Sequence, residues 1–268
     1  MAQNAVIRLT HRAESLKSVV DVNVIYPLVK KDERMHGNVA RIRCIKHEEK
    51  LKVLYLIHGG GDDYSAWVNN TRLALYAEKY PNLLIVMPTV RDFQSFRKDA
   101  DYYRYIVQEL PAYIGRLFNV SDKREDTFIA GLSMGGYLSY RVAMLNPDRY
   151  GRVGSLSSPL DIVQDMIERH IGAKTMHSPE ELIGDPFREI RTIVDNNIKN
   201  HVEMPASFQC CGTEDMTYAI NCGMRSFFEG RRLNHTYREG PGVHNWYFWD
   251  EYIQYLLDWL PLGEKEGA

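Results

Sequence analysis

The chain has 268 residues, which is long enough to bury a full-sized core within one α/β domain. Its 33 basic and 35 acidic side chains give a formal net charge of -2, so there is no strong field to attract nucleic acid or an anionic membrane. No apolar run reaches transmembrane length, and residues 1–20 lack the apolar stretch of a signal peptide, so we expect a cytoplasmic protein with no membrane partner.

Short apolar runs alternate with helical patterns along most of the chain. The first run, 19–26, alternates apolar and polar residues up to Pro27, which predicts a half-buried strand, and a second strand is expected near 38–45. Most later runs are continuously apolar, which is typical of parallel strands covered on both faces. We predict these strands within 51–61, 82–90, 126–133, 152–158, 206–212 and 235–240, and helices at 69–80, 103–118 (with a kink or restart at Pro111), 135–147 and 245–260.

Residues 161–202 interrupt this alternation, because they are polar and mostly helical in pattern without a clear strand. A cap or lid inserted into the domain and a simple helical excursion on the surface both fit such a segment. No internal repeat or domain boundary is visible elsewhere. The sequence therefore predicts one doubly wound α/β domain over 1–268, with helices on both faces of the sheet and 161–202 as a candidate cap.

The stretch IAGLSMGGY, 129–137, places Ser133 in the pattern G-x-S-x-G between a predicted strand and a predicted helix. That is the position of a nucleophile elbow, a turn so tight that side chains two residues before and after the serine would collide. Glycine-rich turns also end ordinary strands, so the pattern alone is weak. In its strand and helix context we interpret Ser133 as a nucleophile.

A serine hydroxyl needs a base to take its proton and an acid to orient that base, and on this kind of fold both follow the serine in the chain. His244 lies in a glycine and proline loop between the last strand and the last helix, whereas its nearest rival, His235, falls within a strand. Asp215 is our candidate for the acid, because its loop follows the penultimate strand and adjoins the histidine loop. Glu214 and Asp161 remain rivals for that role.

Attack on an acyl group also requires N–H donors for the oxyanion that forms on the carbonyl oxygen. One candidate is the backbone N–H of Met134, directly after the serine. The second should come from the loop HGGG, 58–61, where Gly60 is our first choice and Gly61 our second. Neither G-x-G-x-x-G nor a P-loop lysine is present, so these glycines do not indicate a nucleotide site.

Neither the histidine of this loop nor the cysteines indicate a metal or a cofactor. His58 has no second ligand on its own element apart from the pair Asp62 and Asp63, which more plausibly cap the next segment. Four cysteines are too few for a disulfide scaffold, and the adjacent Cys210 and Cys211 lie in an apolar run, which favours buried free thiols. We expect no metal and no cofactor.

The ordered set of motifs resembles the esterase D group of α/β-hydrolases, and within it the tributyrin esterases. The motifs run through most of the chain, as VDVNVIYP, LYLIHGGGDDYSAW, YIVQELPAYI, SDKREDTFIAGLSMGGYLS, SLSSPLDI, CGTED and GPGVHNWYFW. The resemblance implies an α/β-hydrolase fold. It also implies a catalytic triad of Ser133, Asp215 and His244, and an oxyanion hole formed by the N–H groups of Gly60 and Met134.

We therefore expect a serine carboxylesterase that hydrolyses small acyl esters through an acyl-enzyme intermediate. The resemblance extends to S-formylglutathione thioesterases, to feruloyl and acetyl-sugar esterases and to mycolyl-transferring enzymes, so ester and thioester substrates both stay open. A non-catalytic binding protein on the same fold is a third alternative, and an intact triad argues against it. The aromatic content of the last helix permits a homo-oligomer face.

Overall fold

The computed structural model describes residues 4–28, 50–91, 101–161 and 189–263. These ranges contain eight strands, all of which join a single sheet. The strands are β1 (Asn4–Ala13), β2 (Ser18–Pro27), β3 (Lys52–Ile57), β4 (Leu83–Pro88), β5 (Thr127–Leu132), β6 (Arg152–Leu156), β7 (Ala206–Gly212) and β8 (His235–Gly240).

The spatial order of the sheet is β1-β2-β4-β3-β5-β6-β7-β8. The six strands from β4 to β8 in this order pair in parallel, and β1 and β2 extend one edge as antiparallel strands. Because parallel strands end at the same edge, the loops after β3, β5, β7 and β8 all lie on one side of the sheet. The predicted, mostly parallel architecture is confirmed.

Helices connect most of these strands within the described ranges. They are α1 (Ala66–Asn70), α2 (Leu73–Tyr76), α3 (Asp101–Arg104), α4 (Leu110–Leu117), α5 (Met134–Leu145), α6 (Ile190–Lys199), α7 (Tyr218–Gly230) and α8 (Trp246–Trp259), with 3₁₀ turns at Ala77–Lys79 and Arg124–Asp126. A π-helical segment, Tyr105–Glu109, joins α3 to α4. The strand expected near 38–45 and residues 162–188 of the candidate cap lie outside the described residues.

The sheet separates two hydrophobic cores. Alternate residues of each strand point to opposite faces, so that Val53 and Tyr55 of β3 belong to one core while Leu54 and Leu56 belong to the other. The first core, core A, is covered by helices α4 to α7, and the second, core B, by α1, α2 and α8. Helices on both faces confirm the predicted doubly wound layers.

The helix predicted at 69–80 is interrupted. The Asn70 side chain donates to the Ala66 carbonyl at 2.9 Å, and Thr71 is extended (φ -136°, ψ 166°), which ends α1. The chain then turns, and the Arg72 N–H donates to the Asp250 carboxylate of α8 at 2.7 Å. A contact from the far end of the chain therefore fixes the break.

The kink or restart predicted at Pro111 takes the form of a change of helix type, from the π-helical segment to α4. The α4 helix begins at Leu110, directly after the π-helical segment, so Pro111 lies in its first turn and has no N–H to donate to the preceding turn. The Val107 carbonyl, four residues before Pro111, accepts instead from the Arg149 guanidinium at 2.6 Å. An outside donor thus replaces the hydrogen bond that proline removes.

Candidate active site

Ser133 stands on a strained turn between β5 and α5, with φ 50° and ψ -126°. The turn is possible only because the flanking residues lack side chains. A Cβ on Gly131 would lie 2.5 Å from the Gly135 carbonyl carbon, and one on Gly135 would lie 2.2 Å from the His58 carbonyl oxygen. A side chain at either position would therefore collide with the backbone, as the G-x-S-x-G pattern predicts.

The side chains of Ser133, His244 and Asp215 form a continuous hydrogen-bonded line, although they come from three separate loops. His244 Nε2 lies 3.0 Å from Ser133 Oγ, and His244 Nδ1 lies 3.1 and 3.0 Å from the two Asp215 carboxylate oxygens. A carboxylate only accepts, so Nδ1 carries the proton and Nε2 is left to accept from the serine hydroxyl. This is the arrangement that prepares a serine for attack.

The Asp215 carboxylate is buried, and several donors surround it. Its Oδ1 accepts from the N–H and the hydroxyl of Thr217, both at 2.8 Å. Burial opposes ionisation, but the hydrogen bonds from His244 and Thr217 outweigh it and lower the pKa of Asp215. The carboxylate is therefore ionised at neutral pH, which is the form that orients an imidazole.

The rival residues lie elsewhere. Asp161 forms an ion pair with Arg191 at 2.7 Å, and His235 lies in β8 with its Nδ1 2.9 Å from the Ser207 hydroxyl. Glu214 holds the neighbouring loop, because its carboxylate accepts from the Gly242 N–H at 2.6 Å. The geometry thus brings together the three side chains predicted first and none of their rivals.

The two predicted oxyanion donors come from adjacent loops. Met134 is the first residue of α5, so its N–H has no acceptor within the helix. Gly60 lies beside it, since a Cβ on Gly60 would stand 3.8 Å from Met134 Cγ. The next residue, Gly61, has φ 85°, a left-handed conformation that favours glycine.

A family model described as "Putative esterase" matches residues 33–256. The chain belongs to this esterase family. It is 24% identical to an acetyl esterase of Caldicellulosiruptor saccharolyticus over 96% of this chain and 98% of the relative. Family membership makes the protein a carboxylic ester hydrolase.

Several solved structures have the same fold as this esterase. A fluorophosphonate-binding serine hydrolase and an S-formylglutathione hydrolase, both from Staphylococcus aureus, each superpose with a TM-score of 0.78 at 24% identity. In both comparisons, 97% of this chain and 99% of the other are covered. The predicted α/β-hydrolase fold is confirmed.

Two contacts in this esterase were not foreseen from its sequence. Thr217 donates to Asp215, and the spacing D-x-T, in which an aspartate caps an N–H two residues on, is a local signal that could have indicated the pairing. Trp249 packs edge-on against the His244 ring, with centroids 5.0 Å apart. No local sequence pattern predicts the contact between Trp249 and His244, because it depends on where α8 begins.

A cavity of about 490 Å³ lies beside the oxyanion loop. Its walls are mostly polar and carry two carboxylates and one guanidinium; the lining residues are Gly61, Asp62, Asp63, Ser65, Ala66, Asn69, Asn70, Val90 and Arg91. The Asp62 carboxylate and Ser133 Cβ lie 3.5 and 3.6 Å from the point where a Cβ of Gly59 would stand. The loop that borders the cavity therefore packs against the serine, although Ser133 is not among the described lining residues.

Among the described residues, no group of three or more His, Cys, Asp or Glu side chains could hold a metal ion. Cys210 and Cys211 are free and buried, as the apolar run predicted, and Cys222 is free and partly exposed. In the same part of the chain, no helix is long and apolar enough to span a bilayer.

Proposed function

We propose that this esterase is a serine carboxylesterase for small acyl esters, with Ser133 as nucleophile, His244 as general base and Asp215 as the acid that orients it. The observation that carries the proposal is the unbroken line from the serine hydroxyl through the imidazole to the carboxylate, with links of 3.0 to 3.1 Å. A serine in an ordinary loop does not require an imidazole and a carboxylate aligned on its hydroxyl group.

In the first half of the reaction, His244 Nε2 takes the hydroxyl proton as Ser133 Oγ bonds to the ester carbonyl carbon. The carbonyl oxygen becomes an oxyanion, which the N–H groups of Met134 and Gly60 bind. The imidazolium, stabilised by Asp215, then gives its proton to the leaving alcohol oxygen as the carbon–oxygen bond breaks. An acyl-enzyme on Ser133 remains.

In the second half, His244 takes a proton from a water molecule as the water oxygen attacks the acyl carbon. The same two N–H groups bind the second oxyanion. When this intermediate collapses, the bond to Ser133 Oγ breaks and the imidazolium returns its proton to that oxygen. The acid leaves and the enzyme is restored, with no cofactor in any step.

The experiment that tests the proposal is hydrolysis of p-nitrophenyl acetate by the wild type and by Ser133→Ala. Loss of the nucleophile should reduce turnover by at least about a thousandfold, with the protein still folded. Ser226→Ala, which removes another serine hydroxyl from the surface of α7, should keep the wild-type rate. Equal rates for the wild type and Ser133→Ala would refute the proposal, as would failure of a fluorophosphonate to label Ser133.

An S-formylglutathione thioesterase is the second candidate, supported by the full-length likeness to a hydrolase of that name. The same triad would serve both reactions. Among the described residues, the cavity beside the HGGG loop is lined by the carboxylates of Asp62 and Asp63 and the guanidinium of Arg91, and this excess of negative charge supports a neutral leaving group over the anionic glutathione. Turnover of S-formylglutathione and a short ester, measured side by side, separates the two. Cytoplasmic location and self-association stay predictions from the sequence.

A further inference from the structure

His58 is the first residue of the HGGG loop and is almost completely buried. Its two ring nitrogens are both engaged with backbone groups. Nε2 lies 2.9 Å from the Val90 nitrogen, whose N–H can only donate, so Nε2 must be the unprotonated nitrogen. The proton is therefore on Nδ1, which lies 2.7 Å from the Gly59 carbonyl oxygen and donates to it.

The Gly59 carbonyl and the Gly60 N–H belong to the same peptide unit. That unit is planar and trans, so the two groups point in opposite directions and cannot turn independently. Whatever holds the carbonyl oxygen also aims the N–H. The hydrogen bond from His58 thus sets the direction of one of the two donors proposed for the oxyanion.

The loop needs such a constraint. Three consecutive glycines, 59–61, have the widest backbone freedom of any residues, and the serine reaction requires the donor to be in place before charge develops. The Asp62 N–H also reaches the Gly59 carbonyl, but at 3.4 Å, which is a weaker contact. The His58 ring donates the shorter hydrogen bond to the Gly59 carbonyl, and the ring is itself held by the N–H of Val90, just beyond β4.

The geometry points to a positioning role for His58: as a neutral imidazole bridging Val90 and Gly59, it aims the Gly60 N–H at the oxyanion. This inference rests on the proposed function, because it assumes an oxyanion formed at Ser133. The ring touches neither substrate nor the reacting atoms. Its role is to turn a flexible glycine loop into a fixed donor.

The surroundings keep the ring neutral. Burial lowers the pKa of His58, and this outweighs the opposing hydrogen bond to Gly59 and the attraction of the nearby carboxylates of Asp62 and Asp63. An imidazolium would have no lone pair for the Val90 N–H. The neutral Nδ1–H tautomer is the only form that satisfies both backbone partners.

Two substitutions separate the two hydrogen bonds. An asparagine amide reaches as far as the Nδ1 position, so His58→Asn can still donate to Gly59 but loses Val90. A glutamine amide reaches the Nε2 position, so His58→Gln can still accept from Val90 but loses Gly59. His235→Gln is the matched control, because it removes another poorly exposed histidine far from the serine loop.

Three measurements are made: kcat and KM with p-nitrophenyl acetate, the affinity for a short alkyl boronic acid, and Tm. The boronic acid forms a tetrahedral anion on serine and so reports on the oxyanion hole. We expect His58→Gln to lose about ten- to a hundredfold in kcat and in boronic acid affinity, with KM within about twofold, because a donor to the oxyanion is misdirected. His58→Asn should lose less than about fivefold in kcat. His235→Gln should keep the wild-type kcat even where its Tm falls.

The inference is overturned if His58→Gln keeps wild-type kcat and inhibitor affinity, if Asn and Gln variants lose activity equally, or if the loss falls on KM. Should the variants fail to fold, ¹⁵N-histidine NMR of the wild type decides, since a protonated Nε2 at His58 excludes the bridge described here. Failure of the proposed function would look different, because the wild type itself would then not hydrolyse the ester.

Discussion

Thr217 links the acid of the proposed triad to the interior of the protein. Its hydroxyl donates to Asp215 and accepts from Asn221 Nδ2 at 3.1 Å, and Asn221 Oδ1 accepts from Gln209 Nε2 at 2.7 Å. All three supporting side chains are fully buried. Because hydrogen bonds in a low-dielectric interior reinforce one another, the chain holds the carboxylate in one orientation beneath the imidazole.

Replacing Thr217 with valine should weaken the proposed catalytic triad without removing any of its three side chains. Valine keeps the shape and the backbone N–H but lacks the hydroxyl, so one hydrogen bond to a charged group is lost, typically about 1.5–3 kcal/mol of unfolding free energy. We expect kcat to fall on the order of tenfold. Ester turnover and urea unfolding of Thr217→Val and Thr217→Ser test this, and a serine variant as impaired as the valine variant would contradict it.

At the residue scale, the sequence is most informative where a single motif determines the local backbone conformation. The elbow pattern and the order of the partners in the chain were enough to select Ser133 and His244. Asp215 stood beside rivals, because several loops end at the same sheet edge and only coordinates show which carboxylate reaches the imidazole. The positioning role inferred for His58 has no local sequence signal, since its bond to Val90 depends on a neighbouring strand that no local pattern identifies.

At the scale of elements, one carboxylate joins a hairpin to a helix far along the chain. The turn between β1 and β2 begins at Glu14 and Ser15, whose N–H groups donate to Glu109 at 2.7 and 2.8 Å. Glu109 ends the π-helical segment before α4. The antiparallel edge of the sheet is thereby fastened to the helix layer that covers core A.

Glu109→Gln should therefore lower stability in a pH-dependent way. Burial opposes ionisation, but hydrogen bonds from Ser15 and Glu14 outweigh it and lower the pKa of Glu109, so its contribution is present above the ordinary glutamate value of 4.5 and is lost as pH falls through the lower folded value. We expect the variant to be less stable by about 1–2 kcal/mol at pH 7.

The measurement is the midpoint of thermal unfolding by circular dichroism between pH 7 and pH 3. The difference between Glu109→Gln and wild type should shrink towards zero at the acid end. Glu125→Gln, at an exposed glutamate, is the control and should follow the wild type throughout. A gap that persists undiminished at low pH would mean that the carboxylate charge is not what fastens the hairpin.

Periodicity located most strands and the longer helices, and the break after α1 shows a physical reason for one of its failures. β1 alternates half-buried Ile7 and Leu9 with exposed Arg8 and Thr10, so its period-two signal is present in the sequence although our predicted strands omit it. The break after α1 depends on Asp250, 178 residues beyond Arg72, so no window of local sequence could contain it.

For the whole molecule, the two cores raise the question of whether both faces of the sheet unfold together. All four tryptophans lie in or against core B, namely Trp67, Trp246, Trp249 and Trp259. Their fluorescence therefore reports on one face only. The shared sheet, whose strands contribute side chains to both cores, should make the two faces a single cooperative unit.

Leu84→Ala tests this cooperativity, because Leu84 is fully buried in core A, across the sheet from every tryptophan. Removing a buried leucine side chain costs about 2–5 kcal/mol. We expect tryptophan fluorescence and far-UV circular dichroism to show the same lowered midpoint in urea. Leu54→Ala, the equivalent change in core B, should shift both signals alike. An unchanged fluorescence midpoint in Leu84→Ala would show that the faces unfold separately.

Strand alternation predicts the parallel sheet and the shared edge of its loops, but it predicts neither the order of the strands nor the position of the candidate cap. Its last part, α6, packs Ile190, Ile193 and Val194 into core A. The cap over 161–202 otherwise stays a prediction. A polar segment without strands shows no hydrophobic periodicity from which its packing position could be predicted.

The hydrogen bond from the Gly242 N–H to Glu214, together with that from the Glu214 N–H to the Gly242 carbonyl at 3.1 Å, clasps the acid loop to the histidine loop. These two loops can then shift only as a pair. The cavity-lining Asp62 lies outside this clasp, so a substitution there leaves the paired loops, and with them the proposed proton relay, in place. An engineer who wishes to broaden the range of esters should begin there.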